Sequence, residues 1–288
     1  MKSIPIKQAV RRVIPRPVRN WLRSPSRSAR WLWDSFQFSC GITRELLIAP
    51  DWRIVCHPHA YGVLFRDQIT DPEQSAEFRS FQRHCVKNMF LFDIGAHFGV
   101  FSLAAARAGG RAVAIDPSPE AMRMIAVQTV LNHCSSSIQT VGAAVTSETK
   151  TMGLLSSGVF SDGYFKVAIN ESESELTKIP GLTIDDLTLQ FGAPTHIKID
   201  IEGHEAAALR GGATTFDRYS PLLFLELHNE MVISGGGDPN DALDELARLG
   251  YDTFGLDGEV LERRAILERP IVRVVARRGS RDGNLRQG

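Results

Sequence analysis

What this chain lacks narrows it first. None of its apolar runs is long enough to cross a membrane, and residues 1–33 hold no apolar core of a secretory signal. Cysteine is scarce and scattered. Cys40, Cys56, Cys85 and Cys134 include no C-x-x-C pair, which argues against a cysteine zinc site and fits reduced thiols in a cytosol. Cys56-His57-Pro58-His59 holds ligand-type side chains, but Pro58 makes it a rigid turn and no further ligand follows at metal-site spacing, so no metal is assigned there. Acid is missing from residues 1–33, which hold nine Lys and Arg. A formal net charge of zero therefore hides an acidic body: residues 34–260 carry 16 basic and 30 acidic residues, net −14. Such a body is a poor general binder of nucleic acid, whose phosphates need Lys and Arg.

Against those absences stands one stretch that organises the rest. Phe90-Leu91-Phe92-Asp93-Ile94 is apolar on both faces, as a buried parallel strand is. A loop with Gly95 and Gly99 follows, then an apolar helix from Val100 to Ala108 that Gly109-Gly110 ends. Strand, glycine loop and helix form the first unit of a doubly wound sheet, whose ligands bind at the carboxyl ends of the strands. The loop lacks the full G-x-G-x-x-G of a dinucleotide site, which disfavours a nicotinamide dehydrogenase. An acid at the strand end also sits badly against a pyrophosphate. A carboxylate there suits an ammonium or sulfonium group, and S-adenosylmethionine carries both. The plainer reading is a strand–turn–helix connection with no ligand. A second acid, Asp116, closes Arg111-Ala112-Val113-Ala114-Ile115 and is placed to accept hydrogen bonds from ribose hydroxyls. The pair of strand-end acids is more specific than either alone.

Four segments are expected: a basic arm over 1–50, an accessory segment over 51–88, a cofactor-binding domain over 89–278 and a flexible tail over 279–288. In the arm, Arg residues interleave with Trp21, Trp31 and Trp33. It reads as a peripheral contact to anionic lipid or a polyanion, or as an arm packed on the acidic body. In the accessory segment, Trp52–Val55 and Gly62–Phe65 read as strands of a hairpin. Further strands are expected at Ile138–Val145, 196–202, 221–228, 251–254 and 271–276, the last two antiparallel with no crossover helix between them. Pro119 opens a helix that reaches about Asn132. Residues 151–178, with turns at Ser156-Ser157-Gly158 and Ser161-Asp162-Gly163, read as a substrate-side insertion. By period two, Lys198, Asp200 and Glu202 share one strand face, and Gly203 permits a sharp exit into a helix from Glu205. Glu202 and Glu205 also read as acids at that helix N-terminus.

Asp93-Ile94-Gly95-Ala96-His97-Phe98-Gly99, Ile115-Asp116-Pro117, Thr183-Ile184-Asp185-Asp186-Leu187 and above all Ile197-Lys198-Ile199-Asp200-Ile201-Glu202-Gly203-His204-Glu205 resemble an FkbM-type methyltransferase over about residues 89–255. His97 stands where that family often has Asn, and Asp116 where it often has Glu. The resemblance implies a Rossmann-like α/β fold of class I and S-adenosylmethionine as cofactor. It implies cofactor contacts from Asp93, Gly95, Ala96, His97, Phe98, Gly99, Ser102, Asp116, Pro117, Ser118, Ala143 and Asp200. It further implies methyl transfer to a hydroxyl of a sugar, glycan, polyketide or similar small molecule. Candidates to take the hydroxyl proton are Asp200, Glu202, His204, Glu226 and His228, or a divalent metal near Asp200 lowers the hydroxyl pKa instead. The alternatives are a nucleic-acid methyltransferase and a non-catalytic protein that keeps the pocket. The expected compartment is the cytoplasm, with a peripheral position at the inner membrane surface if the arm meets lipid.

Overall fold

The computed structural model describes residues 27–49, 51–155, 166–167 and 177–279. Helix α1 (Arg27–Ser39) leads to strands β1 (Arg44–Ala49) and β2 (Trp52–Cys56), which pair antiparallel. Helix α2 (Pro58–Phe65), a π-helical turn at Arg66–Thr70 and helix α3 (Pro72–His84) follow. Both helices start with Pro in the first turn, where a missing N–H leaves no bond unmade. Both are capped: the His57 ring accepts the His59 N–H, and Asp71 accepts those of Glu73 and Gln74. The accessory hairpin thus takes its first strand from Arg44–Ala49, inside the expected arm. Gly62–Phe65 is helical and not a strand. With its cap and Pro58 in place, Ala60 and Leu64 fall four apart on one buried helical face.

The main sheet begins with β3 (Phe90–Ile94), α4 (Val100–Arg107), β4 (Arg111–Ile115), α5 (Pro119–Leu131) and β5 (Ile138–Val141). A smaller sheet holds β6 (Ala144–Val145), β7 (Lys150–Leu155), β8 (Lys166–Val167) and β9 (Thr177–Leu182). The main sheet resumes with α6 (Ile184–Phe191), β10 (His196–Ile199), α7 (Glu205–Arg210), α8 (Ala213–Tyr219) and β11 (Leu222–Leu227). It ends with α9 (Asn229–Ser234), α10 (Asn240–Arg248), β12 (Tyr251–Phe254), α11 (Arg263–Leu267) and β13 (Val272–Arg278). Its order is β12-β13-β11-β10-β3-β4-β5, with only β13 antiparallel to its neighbours. This is the doubly wound, mostly parallel sheet that the strand–loop–helix pattern implies.

Three boundaries differ from expectation. The third strand stops at Val141, and Ala144–Val145 joins the smaller sheet beside β9. The fourth strand stops at Ile199, because Glu202 and Gly203 adopt left-handed backbone (φ 56° and 96°) and turn the chain away. A short helix, α11, separates β12 from β13, which still pair antiparallel. The turns at 156–158 and 161–163 lie outside the described residues, as do 1–26 and 280–288.

Alternation along the strands divides the core into two layers. Phe90, Phe92, Ile94, Ile197, Ile199, Leu223, Leu225 and Leu227 pack against α6, α7, α8 and α10. Leu91 and Phe224 face the other way, onto Trp52, Ile54, Leu64, Phe78, Phe81 and Phe101 from the hairpin, α2, α3 and α4. The accessory segment and the main sheet therefore share one core. Each large side chain buried there contributes about 1.5–3 kcal/mol. By the same period of two, Asp93, Lys198, Glu226 and Arg273 fall on the accessory side. Lys198 pairs in register with Asp93, and Glu226 with Arg273. Among the described residues no helix is long and apolar enough to cross a membrane.

Candidate active site

At the carboxyl ends of β3, β4 and β10 the loops enclose a cavity of about 230 Å³. Its wall is built by a close approach of two backbones. Gly95 has φ +79°, and a Cβ there would lie 1.8 Å from the carbonyl oxygen of Asp200. Gly95 and Ala96 donate their N–H groups to Ile115 O, at 2.9 and 3.1 Å, which ties the loop to the end of β4. His97 is also left-handed (φ 49°) and donates its N–H to Asp116 Oδ2 at 2.9 Å. Asp116 Oδ1 accepts the Ser118 N–H at 2.8 Å. Burial lifts Asp116 to about 6, although these two hydrogen bonds pull the other way. The His97 ring stacks on Phe98 with centroids 3.9 Å apart, and burial holds its pKa down.

Of the expected cofactor residues, Gly95, Ala96, His97, Phe98, Asp116, Pro117, Ala143 and Asp200 line the cavity. Asp93, Gly99, Ser102 and Ser118 stand behind it and shape the loop. Asp93 Oδ2 accepts both the N–H and the hydroxyl of Ser102, at 3.0 and 2.7 Å. Ser118 caps α5 through the Ala121 N–H. Gly99 (φ +76°) precedes the first turn of α4. Asp93 Oδ1 is buried with no hydrogen-bond partner. An open glycine loop, a strand-end carboxylate facing the cavity and an orphaned buried oxygen behind the loop suit a ligand with ribose hydroxyls and a cationic group. The residues fit S-adenosylmethionine.

Next to this loop lies a dense group of charges. Lys198 Nζ sits 3.0 Å from Asp200 Oδ2, 3.6 Å from Glu77 Oε1 and over the Phe101 ring. Arg273 reaches Glu226 Oε1 at 2.6 Å, Glu77 Oε2 at 3.2 Å and Glu73 Oε2 at 3.0 Å. His228 Nδ1 lies 2.8 Å from Glu205 Oε1, which also accepts the Gly203 N–H at 3.0 Å. A carboxylate only accepts, so Nδ1 donates and Nε2 is the ring nitrogen left over. It faces Glu202 Oε2 at 3.4 Å, Asp200 Oδ1 at 3.7 Å and Glu226 Oε1 at 3.8 Å. Burial lifts Glu202 to about 7; burial with Asp200 and Glu77 nearby lifts Glu226 to about 8. Burial alone would lower His228, but the Glu205 hydrogen bond and the surrounding carboxylates carry it to about 9. Burial would raise Asp200, yet Lys198 and His228 hold it below the ordinary carboxylate value.

Four of the five expected catalytic residues thus meet: Asp200, Glu202, Glu226 and His228. His204 lines the cavity without joining them. Asp200 and Glu202 arrive by the turn after β10 and not by a shared strand face. Glu205 supports His228 and braces the turn at Gly203. Glu77 and Arg273 escaped the sequence reading, though both left a trace. Arg273 interrupts an apolar strand, and Glu77 sits beside Phe78 and Phe81 on a helix, where a solvated acid would stand elsewhere. His57 and His59 are spoken for: the first caps α2, and the second lies 3.4 Å from Asp34.

No curated protein matches the chain. Among solved structures it is similar to an FkbM methyltransferase from Methylobacillus flagellatus (17% identity, TM-score 0.46), covering 76% of this chain and 54% of that one. It is also similar to a precorrin-6y C5,15-methyltransferase from Geobacter metallireducens (12%, TM-score 0.42; 74% and 92%). A third is a TehB-like SAM-dependent methyltransferase from Corynebacterium glutamicum (11%, TM-score 0.42; 77% and 97%). The chain spans about half the length of the first of these. The model of the methyltransferase FkbM domain matches residues 93–253, more than half of the chain and the whole of the cavity loops from β3 to β12. The chain therefore belongs to the FkbM methyltransferase family.

Proposed function

We propose that this protein is an O-methyltransferase acting on a hydroxyl of a sugar, glycan, polyketide or similar small molecule. One observation carries the reading: Asp200 and Glu202 line the cavity beside the Gly95–Phe98 loop, with His228 and Glu226 directly behind them. An electrophilic methyl and a proton-accepting cluster are then neighbours, as transfer to a hydroxyl needs. When bound, the cofactor supplies a methyl carbon that bonds to the acceptor oxygen as the carbon–sulfur bond breaks and its electron pair returns to sulfur.

The chain's own residues do the rest. Asp116 accepts hydrogen bonds from ribose hydroxyls, and the glycine loop lets the backbone lie close to the ligand. The Asp200 carboxylate, held ionised by Lys198, places negative charge beside the loop. The hydroxyl proton leaves toward Glu202, whose carboxyl lines the cavity beside Asp200, while Arg66, Asp67, Gln68 and Gln74 offer polar groups to the acceptor at the cavity wall. Alignment of oxygen and methyl within the cavity supplies much of the acceleration.

The same reading places the protein in the cytoplasm, with its basic arm against an anionic lipid surface where the acceptor is held. Leu32, Trp33 and Phe36 on α1 are exposed, next to the Arg-rich stretch, which supports that role. The test is methyl transfer from radiolabelled S-adenosylmethionine to panels of hydroxylated sugars, polyketides and amines. Label in an acid-stable ether of a hydroxylated acceptor is the expected result. Label only in nitrogen or carbon acceptors would overturn the oxygen assignment.

A further inference from the structure

We infer that Asp200, Glu202 and His228 form a binding site for one divalent cation of the Mn²⁺ type. One ligand atom from each lies within 4.8 Å of the other two. The arrangement differs from a chance group of acids in four respects. The imidazole is fixed from behind: Glu205 Oε1 takes the Nδ1 proton at 2.8 Å, and Glu205 is itself held by the Gly203 N–H. That leaves Nε2 facing the carboxylates, so that a cation taking the place of its proton meets the orientation a carboxylate–histidine pair gives a metal ligand. Nε2 also stands 3.4 to 3.8 Å from three carboxylate oxygens. That is too far for good hydrogen bonds, yet right for atoms that share a central ion.

The carboxylates, too, have spare oxygens. Glu202 Oε2, 3.4 Å from Nε2, is buried and has no hydrogen-bond partner. Asp200 gives Oδ2 to Lys198 and turns Oδ1 to the imidazole. Glu226, its side chain only 4% exposed, gives Oε1 to Arg273 and keeps Oε2 unpartnered in the same buried space. Finally, charge favours a cation. Asp200, Glu202, Glu205, Glu226 and Glu77 crowd one region around Lys198, Arg273 and His228, and a cation at Nε2 would take the place of the imidazole proton among them. Ligand bonds of about 2.0–2.2 Å hold neighbouring ligand atoms about 3 Å apart, so closure from separations within 4.8 Å needs shifts of up to about 1 Å. Two carboxylates with one imidazole and no thiolate suit Mn²⁺ and related ions.

The site adjoins the cavity through Asp200 and Glu202, so a cation there touches an acceptor hydroxyl and lowers its pKa. That role rests on the function proposed above; occupancy of the site does not. The test uses the full chain, stripped with chelator and titrated with Mn²⁺, with free Mn²⁺ followed by electron paramagnetic resonance. One Mn²⁺ per chain is expected, displaced by Mg²⁺ or Zn²⁺. Asp200→Asn and His228→Gln should each weaken binding more than about tenfold, and Glu205→Gln by about tenfold through the ligand it orients. His59→Gln should leave binding unchanged. Circular dichroism confirms that each variant is folded, and a misfolded His228→Gln leaves Asp200→Asn to decide. No Mn²⁺ binding by a folded wild type, or equal binding by wild type and Asp200→Asn, overturns the inference. Calorimetry with S-adenosylmethionine on the stripped protein separates the two readings. Methyl transfer in excess chelator refutes the cation's part in catalysis and keeps the proposed function. Mn²⁺ bound at these residues without transfer to any hydroxyl keeps the metal and refutes the function.

Discussion

Replacing Gly95 by Ala tests the idea that a backbone contact builds the cofactor loop. Two costs are separable in the structure. Gly95 has φ +79°, so any L-residue there loses about 1–2 kcal/mol from left-handed backbone alone. The added Cβ would also lie 1.8 Å from Asp200 O, against the 3.0 Å that real contacts respect. Asp200 cannot simply retreat, since its N–H is tied to Ile94 O at 3.0 Å and its carboxylate to Lys198. An overlap of this kind costs about 1–3 kcal/mol more. The expected loss is therefore about 2–5 kcal/mol, a large share of a domain's stability. Gly99 and Gly109 are built-in controls, with φ +76° and +83° but nearest Cβ contacts of 3.3 Å to Ile125 and 3.6 Å to Lys87. Their Ala variants should lose only about 1–2 kcal/mol. Urea unfolding measures all three, and calorimetry measures S-adenosylmethionine affinity on the folded fraction. Gly95→Ala should also lose affinity by more than about tenfold, because a shift near 1 Å reaches Asp200 and the loop together. Equal losses at all three positions, or full affinity in Gly95→Ala, would refute the argument.

Cofactor affinity should fall with acid, because Asp116 lies at about 6 and its carboxylate is the expected ribose acceptor. Below that pH the dissociation constant should rise by up to about tenfold per unit, seen by calorimetry between pH 7.5 and 5; a flat profile would remove Asp116 from the contact. The sign for stability runs the other way: the folded value exceeds the unfolded one, so this group's contribution to stability decreases as pH rises from 3.8 to about 6. Lys198→Met should cost about 3–5 kcal/mol in urea unfolding, since it removes the buried cation that Asp200 and Glu77 share. Adding Glu77→Gln to that variant should cost less than the two single changes together, and strict additivity would deny that the pair is coupled. Removal of residues 1–26, with their seven Lys and Arg, should abolish sedimentation with anionic vesicles, an attraction of about 1 kcal/mol per basic residue that high salt also removes. Equal sedimentation of both chains would end the membrane reading.

The fold was legible because its strands are apolar on both faces and its loops carry glycine and acid at their ends. Asp93, Gly95 and Asp116 could be placed from spacing alone. What the spacing does not show is why Gly95 is glycine: its missing side chain makes room for the Asp200 backbone, a contact about 100 residues away that no local pattern records. Glu202 was read on a strand face because Ile-x-Ile-x-Ile runs through 197–201. Two left-handed residues stop the strand, and for Glu202 that conformation has no signature in residue type. Gly62–Phe65 failed for the opposite reason. Four residues with three apolar side chains look the same in either period, and the cap at His57 decided the outcome.

The hardest part to read was the charge on the accessory side, and it explains why the accessory segment belongs to the site. Lys198, Glu226 and Arg273 each interrupt an apolar strand, and each is unaffordable alone in a dry interior. Strand register brings Glu226 beside Arg273 and Lys198 beside Asp93. That still leaves Lys198 and Arg273 without a shared partner. Glu77 supplies one from α3, with Oε1 toward Lys198 and Oε2 toward Arg273. Phe78 and Phe81 fix its height by packing on Phe101 and Phe224. Helix α3 therefore supplies the acid that shares Lys198 with Asp200, and Asp200 in turn lines the cavity. Breaking strand β10 at Ile199 and closing the cavity with a segment from outside the matched domain are parts of one arrangement, in which the accessory helix holds the lysine that pairs with Asp200, the residue whose backbone the Gly95 loop packs on.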